Sequence, residues 1–128
     1  MPATRRRATR MPVTLTLSLS PDRFAVCRFD AGMAVPAWAV QSSFFSITRS
    51  ADELSIVCRE DNVPADAPAK VERGWRSFKV EGPLDFSLTG ILLAVAKPLA
   101  DAGVPVFAIS TFDTDYVLVK DDRLQPAI

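Results

Sequence analysis

Two aspartates, Asp113 and Asp115, lie in the stretch AISTFDTDYVLVKDD, where alternating residues predict the tip of a β-hairpin. Carboxylates placed here could receive an ammonium or guanidinium group, and a desolvated ion pair of that kind is worth far more than an exposed one. They could equally be turn residues whose side chains bond nearby backbone amides. Phe112, the aromatic residue beside them, favours a lid or a contact with a partner.

A second group of candidate residues lies at the start of a helix that the sequence predicts over residues 87–102. The first turn of a helix presents unpaired N–H groups and the positive end of the helix dipole, which suit a carboxylate. Ser87 and Thr89 add hydroxyl groups, and Gly90 leaves the backbone approachable, although helix capping and packing explain the same residues equally well. The two groups together could bind both ends of a free amino acid.

Catalytic chemistry is disfavoured by what the chain contains. It has no histidine, which is the commonest general base and metal ligand. Its cysteines, Cys27 and Cys58, lie in apolar strand-like runs without metal-ligand spacing, so we predict buried, reduced and unbonded thiols. A cysteine nucleophile is a third alternative, but it would need another base, and an apolar strand raises the pKa of a thiol. The sequence therefore predicts a protein that is not an enzyme and uses no cofactor or metal.

Composition and charge limit the remaining classes of function. Of the 128 residues 48% are apolar and the formal net charge is zero, which predicts one compact domain without a dominant electrostatic partner. The basic run RRRATR, over residues 5–10, is expected to be a solvated tail, and Met11 is an alternative start to Met1. No apolar stretch reaches the length of a transmembrane helix. We therefore expect a cytoplasmic protein with no nucleic-acid or membrane partner.

The elements that would position the candidate residues follow from the periodicity of the chain. Alternation predicts strands at VTLTLS, FAVCRF and WRSFKVE, and hairpins at FFSITRSADELSIVCRE and VPVFAISTFDTDYVLVKDD. The proline-rich NVPADAPAK predicts a loop that leads into at most a short helix over residues 67–73. The longer helix is weakened by Pro98 and ends at Gly103 and Pro105. Its apolar stripe consists of Leu88, Ile91, Leu92, Val95, Leu99 and Ala102.

The two hairpins form an internal repeat. Aligning Phe45 with Phe107, an offset of 62 residues, superposes FSITRSADELSIVCRE on FAISTFDTDYVLVKDD without a gap and places Glu53 on Asp115. Chance similarity between two apolar hairpins is the alternative explanation. Only the second copy has a long helix before its hairpin, so we infer that the first copy has lost one. Strand, helix, strand and strand make most of a ferredoxin-like unit, and two such units can share one antiparallel sheet in an α+β fold.

Residues 75–122 closely resemble the ACT-domain family, in the group that contains small bacterial tandem-ACT proteins and the CASTOR arginine sensors. The segment SITRSADELSIVC resembles the first half of the bacterial members, so the resemblance spans roughly residues 15–128. The motifs that carry the resemblance are GPLDFSLTG, over residues 82–90, and S-T-F-x-x-D-Y/H, over residues 110–116. The resemblance implies a ferredoxin-like ACT sandwich in which two ACT-like halves share antiparallel sheet. The expected boundaries are a flexible basic tail over 1–11, a first half over 12–62 that lacks its long helix, and a second half over 63–128.

The resemblance also implies regulatory binding of an amino acid at an interface between ACT units. The acidic residue that helps the sensors hold arginine matches Asp115, and the family's loop and first helical turn match residues 85–90. The sensors carry four ACT units and this sequence offers two, so the site is expected to close in a homodimer. The alternative is an assembly module whose ligand site is vestigial. The predicted ligand-binding residues are Ser110, Thr111, Phe112, Asp113, Asp115, Phe86, Ser87, Leu88, Thr89 and Gly90.

Overall fold

The computed structural model describes residues 17–81 and 97–123 of the chain. The strands in these ranges are β1 (Leu17–Leu19), β2 (Phe24–Phe29), β3 (Ser46–Arg49), β4 (Leu54–Arg59), β5 (Lys70–Val80), β6 (Phe107–Ser110) and β7 (Asp115–Lys120). They form one antiparallel sheet in the order β3-β4-β2-β5-β7-β6, and β1 also pairs with β5. The predicted α+β fold, with two halves on a shared antiparallel sheet, is confirmed.

Strand β5 lies at the centre of the sheet. It pairs first with β2 and then with β1 along one edge, while β7 pairs along its other edge. Trp75 lies opposite Phe24 and Glu72 opposite Val26, so β5 carries one extra residue between these pairs and forms a β-bulge. Gly74 lies in the bulge with a φ of 81°, a left-handed conformation that glycine adopts without a steric penalty.

The prediction of a short helix over residues 67–73 is wrong, because Lys70–Val80 is one continuous strand. Lys70 pairs with Arg28 and Val71 with Cys27, so the backbone of this segment is satisfied by β2 rather than by a helical turn. Pairing in the folded protein overrides the weak local preference here. The other predicted strands and both hairpins are confirmed within the described residues, and residues 13–16 of the first predicted strand lie outside them.

The two halves of the sheet repeat the same arrangement, with β2, β4 and β3 in the first half and β5, β7 and β6 in the second. Arg49 pairs with Leu54 at the tip of the first hairpin, and Ser110 pairs with Asp115 at the tip of the second. These pairs relate the hairpins by 61 residues. The expected offset of 62 is therefore wrong by one residue, and Asp115 occupies the position of Leu54 rather than that of Glu53.

The segments between the strands differ in the two halves. In the first half, residues 30–45 contain one short 3-10 helix, Ala37–Val40, which agrees with the expected loss of a long helix. In the second half residues 97–101 are helical and the chain then turns at Gly103, whose φ is 74°. The N–H of Gly103 donates to the carbonyl of Ala100, and that of Val104 donates to the carbonyl of Leu99. This is the Schellman pattern of a glycine helix stop.

The two faces of the sheet carry different side chains. We call the face on which the helix packs the helix face, where Leu99 and Val104 contact β5 and β7 through Val80, Val117 and Val119. Ala102 was predicted on the apolar stripe but is exposed, because the helix ends one residue before it. The stripe residues Leu88, Ile91, Leu92 and Val95 lie outside the described residues.

The opposite face, which we call the aromatic face, buries Phe24, Val57, Trp75 and Leu118. Residues of both edge strands, β3 and β6, line one cavity of about 210 Å³ on this face. The sheet is therefore curled towards the aromatic face, which brings its two edge strands near each other. The curl also shields the buried side chains of this face from water. In the described part of the chain no helix is long and apolar enough to cross a membrane.

Candidate functional site

Asp115 is the first residue of β7 and lies at the end of the sheet. Side chains alternate along a strand, so Asp115 projects from the helix face together with Val117 and Val119, while Tyr116 and Leu118 project from the aromatic face. The side chain of Asp115 is 0% exposed. The interpretation of Asp115 as an exposed turn carboxylate is therefore wrong, because its strand begins one residue earlier than the repeat implied.

The hydrogen bonds around Asp115 fix the end of the sheet. Ser110 of β6 is paired directly with Asp115. The buried Thr114 donates its hydroxyl to the carbonyl of Val80, the last residue of β5. The N–H of Thr111 donates to the carbonyl of Thr114 over 2.8 Å, which closes the hairpin. These bonds hold Asp115 beside the point where the chain leaves β5.

Neither carboxylate oxygen of Asp115 accepts a hydrogen bond from any residue in the described ranges. A buried acidic group without a partner costs folding free energy, because it has lost its hydration and gained nothing in exchange. The same position in the first half is the fully buried Leu54, which packs in the core with Phe29 and Ile56. The second half thus carries a carboxyl group where the fold itself prefers an apolar side chain.

The tip of the hairpin separates the two aspartates. Asp113 is exposed in the turn, and Phe112 beside it is fully exposed, as expected for an aromatic residue at a tip. Thr111 and Ser110 are exposed as well, and the hydroxyl of Thr111 donates to the carbonyl of Thr114 over 3.0 Å. Within a single copy of the chain, the structure brings Ser110 next to Asp115 and holds Phe112 and Asp113 away from it.

The remaining predicted ligand residues lie outside the described residues. They are Phe86, Ser87, Leu88, Thr89 and Gly90.

The described residues of this site offer one carboxyl group, that of Asp115, and the hydroxyl groups of Ser110, Thr111 and Thr114. Among the described residues, no cluster of cysteine, aspartate and glutamate side chains could hold a metal ion. Cys27 and Cys58 are buried and form no disulfide, as predicted. A hydrogen bond to Cys27, together with burial, raises the pKa of the Cys58 thiol. The same hydrogen bond lowers the pKa of Cys27, so the thiolate that a nucleophile needs is disfavoured at Cys58 alone.

The burial of Asp115 and the role of Thr114 were missed by reasoning from the sequence. The sequence does contain a signal for the burial of Asp115. At an offset of 61 the segment Ile56–Arg59 aligns with Val117–Lys120, so three apolar residues and one basic residue match in order. At an offset of 62, Cys58 falls on Lys120 instead. The burial of β4 and β7 follows the same pattern residue by residue, which supports the smaller offset.

Comparison with known proteins identifies related sequences and folds. The family model of the ACT domain matches residues 70–128, and a model described as an N-terminal domain matches residues 22–66. The chain is 29% identical over 126 residues to the cytosolic arginine sensor for mTORC1 subunit 1 from Bos taurus. The match covers 94% of this chain and 36% of that protein, so the chain spans about a third of its length.

Two solved structures show the fold. The crystal structure of protein Atu0741 from Agrobacterium tumefaciens is similar with a TM-score of 0.84 at 41% identity, over 91% of this chain and 85% of that one. The regulatory subunit of aspartate kinase from Thermus thermophilus is similar with a TM-score of 0.56 at 12% identity, over 89% of this chain and 94% of that one. The second likeness concerns the fold alone.

Proposed function

The chain belongs to the ACT-domain family, and on that premise we propose that it is a non-catalytic regulatory module that binds a small amino acid through Asp115. The observation that carries the proposal is the buried carboxyl group of Asp115, which stands where the first half has Leu54 and accepts no hydrogen bond from a described residue. A fold tolerates a buried charge where something compensates it. A cationic group of a ligand supplies that compensation.

An ammonium or guanidinium group suits Asp115 because the carboxylate can accept two charge-assisted hydrogen bonds, and a guanidinium can donate both in parallel. The bovine relative is named as an arginine sensor, which agrees with this chemistry. We therefore propose an amino acid whose side chain or α-amino group carries the positive charge. The hydroxyl of Ser110, on the strand paired with Asp115, is available as a further partner.

We propose that the segment that follows β5 binds the carboxylate of the ligand. Val80 lies beside Thr114 and Asp115, and Phe86 follows it by six residues, which span at most about 20 Å when fully extended. We propose that backbone N–H groups at the helix start predicted from the sequence, together with the hydroxyl groups of Ser87 and Thr89, bind the carboxylate. The residues assigned to this role are Phe86, Ser87, Leu88, Thr89 and Gly90.

We propose that a second copy of the chain closes the site. The chain spans about a third of the arginine sensor to which it is similar, and we assign the facing ACT unit to a second copy. Phe112, fully exposed at the hairpin tip, is suited to such a contact, with Thr111 and Asp113 beside it. We also propose a cytoplasmic location, since the bovine relative is named as cytosolic.

Thermal unfolding with each of the standard amino acids tests the proposal. A ligand at a hundredfold excess over its Kd stabilises the folded state by about 2.7 kcal/mol. We expect arginine or lysine to raise the Tm, and we expect Asp115→Asn, which keeps the shape and removes the charge, to abolish the shift. Asp52→Asn is the matched control, because Asp52 lies in the corresponding loop of the first hairpin. Normal binding by Asp115→Asn would overturn the assignment of Asp115.

The second candidate function is an assembly module with a vestigial ligand site. The fully exposed Phe112 favours it, because an apolar hairpin tip is equally suited to binding protein. Sedimentation separates the two functions. A protein that dimerises while no amino acid changes its Tm is an assembly module, whereas a dimer that amino acids stabilise is the regulatory module.

A further inference from the structure

A cavity of about 340 Å³ lies on the aromatic face, at the side of the sheet where β1 pairs with β5. Its volume falls within the range of sites for small molecules. All its lining residues belong to the described part of the chain. They include Asp22, Phe24, Phe44, Ser77, Lys79 and Tyr116.

The sheet itself separates this cavity from Asp115. Tyr116 lines the cavity and follows Asp115 in β7, so the two side chains project from opposite faces. Lys79 is paired with Tyr116 across β5 and β7 and lies on the same face. The cavity therefore shares a strand with the proposed amino-acid site and shares none of its side chains.

Three aromatic rings form the apolar wall of the cavity. The centroid of Phe44 lies 4.6 Å from that of Tyr116 at an interplanar angle of 48°, and 5.6 Å from that of Phe24 at 78°. The hydroxyl of Ser42 donates to the carbonyl of Phe44 over 2.9 Å, which fixes the loop that carries this ring. Rings at these angles leave faces and edges against which another planar group can pack.

The polar wall offers hydrogen-bond donors that no described residue uses. Ser77 is only 3% exposed, and its hydroxyl makes no hydrogen bond with a described residue. The ammonium of Lys79 forms an ion pair with the carboxylate of Glu81 at 3.9 Å, which is too long for a hydrogen bond. Glu81 instead accepts a hydrogen bond of 2.8 Å from Ser18. The donors of Lys79 and Ser77 are therefore available to an anion.

The other charged residue of the cavity is Asp22, whose carboxylate lies 3.9 Å from Nε of Arg59. Arg59 belongs to β4, on the far side of β2 from β5, so Asp22 has a cation nearby on that side. Lys79 is the cation that lines the cavity. A ligand that meets both walls carries a flat apolar group and one negative charge.

We propose that this cavity binds a small aromatic carboxylate. Its ring packs against Phe44 and Tyr116, and its carboxylate accepts hydrogen bonds from Lys79 and Ser77. This site is independent of the amino-acid site proposed at Asp115, and either can fail without the other.

Titration of the ¹⁵N-labelled full chain with phenylacetate, followed by amide chemical shifts, tests the proposal. We expect the largest shifts at the amides of Ser77, Lys79 and Tyr116, and much weaker binding of the neutral isostere phenylacetamide. Lys79→Met should raise the Kd roughly tenfold to a hundredfold, because a hydrogen bond to a charged group is lost. Ser77→Ala should raise it about tenfold, because its hydroxyl donates to the same charged carboxylate.

One variant serves as a control. Lys120→Met removes the ammonium next to Trp75, outside the cavity, and should keep the wild-type Kd. Absence of shifts up to the solubility limit of phenylacetate would overturn the proposal. Equal binding of phenylacetate and phenylacetamide would do the same, and this comparison needs only the wild-type chain. Shifts centred on Asp115 instead of Tyr116 would also contradict it.

Discussion

At the scale of single residues, Asp115 shows a conflict between stability and function. The fold repeats itself in two halves, and the first half fills the corresponding position with Leu54, an apolar residue that is fully buried. The second half buries a carboxyl group there and offers it no hydrogen bond from the described residues. Residues that lower stability in this way are expected where a protein binds something.

Asp115→Leu tests this conflict directly. Restoring the apolar residue of the first half removes the desolvation cost of the carboxyl group, so we expect the free energy of unfolding to rise by about 1–3 kcal/mol without ligand. The same variant should lose all stabilisation by arginine or lysine. Urea unfolding with and without amino acid measures both effects. Asp113→Leu, at the exposed tip, should leave the unfolding free energy nearly unchanged. A less stable Asp115→Leu would show that the carboxyl group has a partner in the apo protein.

At the scale of elements, the sequence predicted the strands well because their periodicity is local. Phe24–Phe29 agrees with its predicted strand, and the glycine stop at Gly103 is the predicted one. Two features depended on contacts between distant segments and were missed. The first residues of β5 form a strand because β2 pairs with them. The offset between the two hairpins is fixed by the register of their strands, and a slip of one residue moves every side chain to the other face of the sheet.

The bulge in β5 gives a prediction at this scale. Gly74 has a φ of 81°, and no atom lies within 4 Å of the place that a Cβ would occupy, so a methyl group there meets backbone strain and no steric clash. Gly74→Ala should therefore lower the free energy of unfolding by about 1–2 kcal/mol, the cost of a left-handed conformation for an L-residue. Gly32→Ala is the matched control, because Gly32 has equal space and no such φ. We expect the control to unfold like the wild type in urea. Equal effects of the two substitutions would contradict the role assigned to the bulge.

At the scale of the whole molecule, the two halves are joined by more than the pairing of β2 with β5. Asp121, which follows β7, accepts hydrogen bonds of 3.1 Å from Arg23, next to the start of β2, and of 3.4 Å from Arg76 in β5. Arg76 also donates to the carbonyl of Ser20 over 3.1 Å. The carboxylate of Asp121 therefore links the end of β7, in the second half, to the start of β2, in the first half.

This link predicts how stability depends on pH. The hydrogen bond from Arg23, and then that from Arg76, holds the pKa of Asp121 below its ordinary value. Because the pKa is lower in the folded state, the contribution to stability is complete above the unfolded value of about 3.9 and is lost as the pH falls through the folded value. Asp121→Asn should lower the Tm at neutral pH, and its difference from the wild type should shrink below about pH 4, where the wild-type carboxylate also becomes protonated.

Thermal unfolding followed by circular dichroism from neutral to acid pH measures this difference in Tm. The control is Asp66→Asn, which changes an exposed carboxylate in the loop before β5. A difference that stays constant across this range would mean that Asp121 acts through packing, and that its charge does not hold the halves together.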